Sequence, residues 1–125
     1  MQRFVVAEHW ARTHHFDLRL EKEGILWSWA VPKGVPLETG IRHLAVRTED
    51  HDISALDFEG EIEEGQYGAG RVAIWDKGEF TFDSVKDTKL VFLVSGEKMK
   101  GKFVLVKMPK WGENAWLIFR GKEDD

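Results

Sequence analysis

Apolar and polar residues alternate with a period of two along most of the chain. The cleanest run is Phe16-Asp17-Leu18-Arg19-Leu20-Glu21, where Phe16, Leu18 and Leu20 fall on one face of an extended strand. The same pattern, with β-branched and aromatic enrichment, predicts strands at 4–8, 16–21, 26–31, 44–48, 58–62, 71–75, 79–83, 89–94, 102–107 and 115–120. Lys22-Glu23-Gly24, Asp76-Lys77-Gly78 and the stretch from Gly96 to Gly101 read as hairpin turns, each supplying a glycine. The only helix expected is a short one at 84–88. Short strands at near-regular spacing define an all-β chain, a barrel or a closed sandwich. The acidic tail Lys122-Glu123-Asp124-Asp125 is expected to fray.

Composition narrows the classes. The chain has 125 residues, enough for one domain over 1–125 with a real core. At 42% hydrophobic and 32% charged it has a globular balance, so disorder is not expected. There are no cysteines, which excludes disulfides, thiolate metal sites and a thiol nucleophile. No apolar run approaches the ~20 residues that span a bilayer. Met1 to Val6 reaches acidic and aromatic residues too soon for a signal peptide. The expectation is a soluble, cytoplasmic protein without a membrane partner. The net charge of −4 argues against a clamp on a long duplex, which is usually basic. It leaves room for one phosphate held locally.

The informative segment is His9-Trp10-Ala11-Arg12-Thr13-His14-His15-Phe16-Asp17-Leu18-Arg19. His15, Asp17 and Arg19 share a strand face, spaced by about 7 Å, and His9 can fold back to them across a short loop. Two imidazoles and a carboxylate suffice for a catalytic metal with open positions. Arg19 can pair with a phosphate oxygen through its planar fork. The same residues could form a structural hydrogen-bond network, or Asp17 and Arg19 could neutralise each other. Pattern alone leaves both readings open. His14 should point away from His15 and is read as structural.

His51 follows a strand and sits among Glu49, Asp50 and Asp52, a candidate general acid or transition-state stabiliser against the plainer reading of an exposed turn histidine. Glu64-Gly65-Gln66-Tyr67-Gly68-Ala69-Gly70 lacks the Gly-Lys-Ser/Thr ending of a P-loop and reads as a glycine-bent corner. Trp27, Trp29 and Trp75 lie inside strand runs and read as core or near-core. Trp10, between ligand candidates, carries no firm assignment to substrate.

Taken in order, these segments resemble a known family. Phe4-Val5-Val6-x-Glu8-His9, His15-x-Asp17-x-Arg19-Leu20-Glu21 and Ser28-Trp29-Ala30-Val31-Pro32-Lys33-Gly34 look like the 3′-phosphoesterase module of bacterial end-joining DNA ligase D. The likeness continues through Leu44-Ala45-Val46, Glu49-Asp50-His51, Phe58-Glu59-Gly60, Gly65-x-Tyr67-Gly68-Ala69-Gly70 and Trp75-Asp76-x-Gly78. It implies a compact closed β-barrel of about eight or more short strands, standing free of ligase and polymerase domains. It implies a manganese-dependent enzyme, with Zn2+ or Co2+ able to compete for the same ligands. The reaction implied removes a 3′-terminal ribonucleoside, leaving a 3′-phosphate, and then removes that phosphate. The implied partners are a primer–template with a 3′ ribonucleotide or 3′-phosphate end, and a DNA ligase, polymerase or Ku-like protein in trans.

By the same likeness the metal ligands are His9, His15 and Asp17, and the catalytic groups His51, Arg19 and His15. Arg19 and His51 are the implied phosphate-binding residues, with Arg42, His43 and Lys33 as weaker additions. The chain departs from the family at His43, where an arginine usually precedes Leu-Ala-Val, and at Ala55, where the family has a tyrosine. Two rivals stay on the table: a non-catalytic barrel that binds nucleic-acid ends or a protein, and a structural zinc site. The latter needs a fourth ligand that only His14 offers locally.

Overall fold

A computed structural model describes residues 2–66 and 68–122. Met1, Tyr67 of the glycine-rich segment and Glu123, Asp124 and Asp125 of the acidic tail lie outside the described residues. Alternation wins throughout. The strands are β1 (Gln2–Trp10), β2 (His14–Lys22), β3 (Ile25–Val31), β4 (Arg42–Asp52), β5 (Gly60–Ile62), β6 (Gly70–Lys86), β7 (Lys89–Ser95), β8 (Lys100–Lys107) and β9 (Ala115–Arg120). The sheet order is β1-β2-β3-β4-β9-β8-β7-β6-β5, and a further β1–β6 pairing closes it. Eight antiparallel strands therefore form a closed barrel, with β5 attached outside to β6. Closure leaves the barrel without open edges.

The apolar face of each strand points inward. Phe4, Leu18, Leu20, Trp29, Phe92 and Phe103 are almost fully buried in the main cluster, and Trp27 and Trp75 pack against it partly exposed. A second, smaller cluster lies on the outer face. Val5 of β1 and Leu26 of β3 pack with Leu56, and a single 3-10 turn at Ile53–Leu56 is thereby pinned to the outside of the barrel. Its N-cap Asp52 accepts from the Ser54 backbone N–H at 3.0 Å.

Two local expectations fail. Residues 71–75 and 79–83 are not two strands joined by a turn; they belong to one 17-residue strand, β6. Asp76-Lys77-Gly78 has the composition of a turn, but Asp76 is buried and its carboxylate accepts from the backbone N–H groups of Lys77, Glu97, Lys98 and Met99 at 2.8–3.0 Å. The register of β6 against β1 slips by one residue at this point, a β-bulge. The helix expected at 84–88 is also absent. β6 runs on to Lys86, because Val85 pairs with Leu90 across a two-residue turn into β7. No helix among the described residues is long and apolar enough to cross a membrane.

Candidate active site

The site is built on the outer faces of β1 to β4. The β1–β2 hairpin places His9 directly opposite His15 and Ala7 opposite Asp17, so one cross-strand pair and its diagonal bring three donors together. Arg19 follows two residues along β2, paired with Val5 on one side and Ser28 on the other. Ala30 lies opposite Asp17 on β3, a small residue that leaves the space above it open. The polar face of β2 thus turns away from the barrel interior. It becomes a cleft because residues 54–62 and Gly68 roof it. The resulting cavity, about 850 Å³, is lined by His9, His15, Asp17, Arg19, Thr48 and His51 on the barrel side, and by Ser54, Ala55, Asp57, Phe58, Ile62 and Gly68 on the roof side.

His9 Nδ1 lies 3.3 Å from Asp17 Oδ2, and His15 Nε2 lies 3.2 Å from Asp17 Oδ1. One ligand atom from each of the three residues falls within 4.8 Å of the others. Donors bound to one ion at about 2.0–2.2 Å must themselves stand about 3 Å apart, so the set fits a divalent metal. The outward ring nitrogens are already committed. His9 Nε2–H donates to the Gly68 carbonyl at 2.7 Å, and His15 Nδ1–H donates to the Thr13 carbonyl at 2.8 Å. These bonds fix the tautomers that leave His9 Nδ1 and His15 Nε2 free as lone-pair donors. Three protein ligands leave positions open, as a catalytic rather than a structural site requires.

Arg19 Nη2 lies 3.6 Å from Asp17 Oδ2, while its Nε is buried without a hydrogen-bond partner. Arg19 itself lines the cavity, and a guanidinium there fits an anion. His51 Nδ1 lies 2.9 Å from Ser28 Oγ, and the Ser28 hydroxyl donates to the Leu26 carbonyl at 3.3 Å. With its one proton so used, Ser28 accepts from His51 Nδ1–H and orients the ring.

Burial acts to raise the Asp17 carboxyl, but its His15 hydrogen bond and the neighbouring Arg19, His15 and His9 outweigh that and hold it below the usual range. The hydrogen bond to Asp17 raises His15 above its ordinary value, against its own burial. Burial and then the Arg19 charge lower His51, leaving it neutral at pH 7. Without metal, His15 and Asp17 are an ion pair. Its His15 part is complete below about pH 6.5 and is lost as pH rises through the raised value; its Asp17 part is complete above about 3.8 and is lost as pH falls through the lowered one. Metal uptake must displace the His15 proton. Affinity is therefore expected to fall about tenfold per pH unit below the His15 titration. Proton release during a metal titration in weak buffer checks this, and His15→Gln should abolish the release.

The remaining sequence candidates fall elsewhere. His14 hydrogen-bonds Glu8 at 2.8 Å and stacks on Trp10, outside the cavity. Trp10 in turn lies under the Arg71 guanidinium. Arg42, His43 and Lys33 do not line the cavity. Arg42 covers the Phe119 ring, His43 Nδ1–H donates to the Gly34 carbonyl at 2.6 Å, and Lys33 is exposed. Ala55 does line it, so the position where the family has a tyrosine faces the site. Sequence reasoning passed over Ser28 as a support for His51. Its one signal was a hydroxyl on the outer face of an otherwise apolar strand, between Leu26 and Ala30. The Gly68 and Thr13 carbonyls carried no signal, since any residue supplies one.

The class of the molecule is a closed antiparallel barrel that gathers two imidazoles, a carboxylate and a guanidinium in one outer cleft, a donor set able to hold a divalent metal beside an anion. A family model for the DNA ligase D 3′-phosphoesterase domain matches residues 7–107. The chain is 41% identical over 123 residues to the multifunctional non-homologous end joining protein LigD of Mycobacterium bovis, covering 95% of this chain and 16% of that protein. Against the LigD protein of Pseudomonas aeruginosa identity is 39% over 129 residues, covering 98% and 15%. Against that of Mycolicibacterium smegmatis it is 42% over 132 residues, covering 97% and 17%. The chain belongs to the DNA ligase D 3′-phosphoesterase domain family. It spans about a sixth of the length of these relatives.

Proposed function

We propose that this protein is a manganese-dependent 3′-end-processing phosphoesterase of DNA end joining. It removes a terminal ribonucleoside to leave a 3′-phosphate, and then the phosphate to leave a 3′-hydroxyl. One observation carries the reading: His9, His15 and Asp17 converge within 4.8 Å in a cavity that Arg19 also lines. A divalent ion held by the three, manganese with zinc or cobalt as competitors, supplies Lewis-acid activation of the phosphoryl group and water. Arg19 binds a non-bridging oxygen and orients phosphorus for in-line attack by water. The water oxygen joins phosphorus, the bond to the leaving oxygen breaks, and that oxygen takes a proton.

His51, which lines the same cavity, is the group assigned to deliver that proton. Burial is the first cause that lowers the imidazole and the Arg19 charge the second; a phosphate beside Arg19 offsets the second and so favours a proton on His51 when substrate is bound. Ser28 keeps the ring in position. His51→Ala is expected to lower kcat by about 10²–10⁴-fold while metal affinity, read by calorimetry, stays unchanged. A DNA ligase, polymerase or Ku-like protein in trans would use the 3′-hydroxyl produced.

The test is a denaturing-gel assay on a 5′-labelled primer ending in one ribonucleotide, annealed to a longer template, with EDTA or added manganese. Metal-dependent shortening to a 3′-phosphate and then a 3′-hydroxyl supports both steps. A stall at the 3′-phosphate would show that the monoesterase step is lost, with Ala55 the departure that faces the cavity. Binding of the end without cleavage by any divalent metal would replace the enzyme with a binding module.

A further inference from the structure

His9, His15, Asp17, Arg19 and His51 occupy one side of the cavity, and apart from Ser54 and Asp57 much of the other side is apolar. Ala55, Phe58, Ile62 and Val72 line it, contributed by the roof and the start of β6. This wall reaches the metal ligands. A Cβ added at Gly68 would stand 3.5 Å from His9 Cε1 and 3.9 Å from Ile62 Cδ1, so the imidazole and the apolar wall meet across that glycine. Phe58 is the anomaly. It lines the cavity, yet it is 40% exposed and belongs to neither hydrophobic cluster of the fold. The volume of about 850 Å³ lies near the top of the range for pockets that enclose a whole organic ligand. A phosphate group alone neither needs an apolar wall nor covers an aromatic ring. A nucleobase does both.

We infer that Phe58 is a stacking platform for the base of the departing terminal nucleoside, with Ala55, Ile62 and Val72 closing around it. The inference rests on the phosphoesterase reading and names the part of the substrate that the roof receives. The departing side is chosen by chain connectivity. His51 is assigned to the leaving oxygen, and the roof begins just after it: the chain runs from His51 at the end of β4 through Ser54 and Ala55 to Phe58, all lining the cavity. The leaving oxygen and its nucleoside therefore meet one continuous segment. Stacking accepts any base, because every base has a π-face. The second step has no departing nucleoside and makes no use of Phe58. Phe58 lies outside the packed clusters, so replacing it leaves the barrel intact.

Two measurements test this. The first is calorimetry of the manganese-loaded protein with adenosine 5′-monophosphate and with inorganic phosphate. The wild type is expected to bind the nucleotide at least about fivefold more tightly than phosphate. Phe58→Ala should lose that margin, Phe58→Trp should keep it, and phosphate affinity should be equal in all three. Equal affinity of the wild type for the two probes overturns the inference, with or without turnover. The second is the gel assay. Phe58→Ala should raise KM for ribonucleoside removal at least about fivefold and leave KM for 3′-phosphate removal unchanged. Equal loss in both steps overturns the inference. A wild type that prefers the nucleotide through Phe58 but cleaves no primer would sink the phosphoesterase reading alone and leave the base site standing.

Discussion

Asp17→Asn is expected to abolish metal-dependent turnover while the barrel stays folded. The carboxylate is the common partner of the site: His9, His15 and Arg19 all approach it within 3.2–3.6 Å. An amide keeps the shape and one acceptor oxygen but removes the charge that would bind the ion and that faces Arg19. Losing an outer hydrogen-bond partner of a metal ligand costs roughly 10–100-fold; loss of the ligand charge itself should exceed that in both metal affinity and rate. Stability should fall by less than the about 3–5 kcal/mol that stripping one member of a buried pair costs, because Asn still accepts a hydrogen bond. Calorimetry with manganese, the gel assay and the melting temperature separate the three effects. Undiminished turnover by Asp17→Asn would remove it from the metal site.

Asp76→Ala should act on the fold and not on the chemistry. Its buried carboxylate gathers three N–H groups from the 97–99 segment, and that of Lys77, at 2.8–3.0 Å. Hydrogen bonds to a charged group contribute about 1.5–3 kcal/mol each, and unmade buried ones cost a similar amount. A net loss of about 3–5 kcal/mol is expected, a large part of the about 5–15 kcal/mol of a typical domain. At roughly 4 °C per kcal/mol for this size, the melting temperature should fall by about 10–20 °C. Asp76→Asn should lose less, since one oxygen still accepts. Asp76 does not line the catalytic cavity. Metal affinity below the melting transition should therefore match the wild type, and a loss there would show that the bulge positions His9.

How much of this was legible in the sequence depended on range. The β1–β2 hairpin is a local object. Alternation from His15 to Glu21 and a short link to His9 sufficed to bring these side chains together as candidate ligands, and the structure pairs His9 with His15 directly. Alternation also separated the apolar face from the polar one, but not what covers the polar one. The 53–69 segment has too little periodicity to announce itself as a roof. Asp76-Lys77-Gly78 failed for a related reason. Its composition is that of a turn, and only its partners some twenty residues away distinguish a buried anchor in a continuous strand. Arg42 and His43 show the limit of adjacency. His43 lies on the pleat side of core residue Ala45. Arg42 shares a face with cavity residue Thr48, but at six residues' remove, about 20 Å along the strand.

Support and reach are divided between two parts of this molecule. The donors stand on paired strands of a closed cylinder, where a displaced atom must drag its neighbours. The wall opposite them hangs on one 3-10 turn, a three-residue strand and a glycine-rich return. Substitutions in that wall can change which end the cavity admits without disturbing the ligand spacing below. A laboratory selecting for new substrates would therefore vary 54–62 and leave the first hairpin untouched.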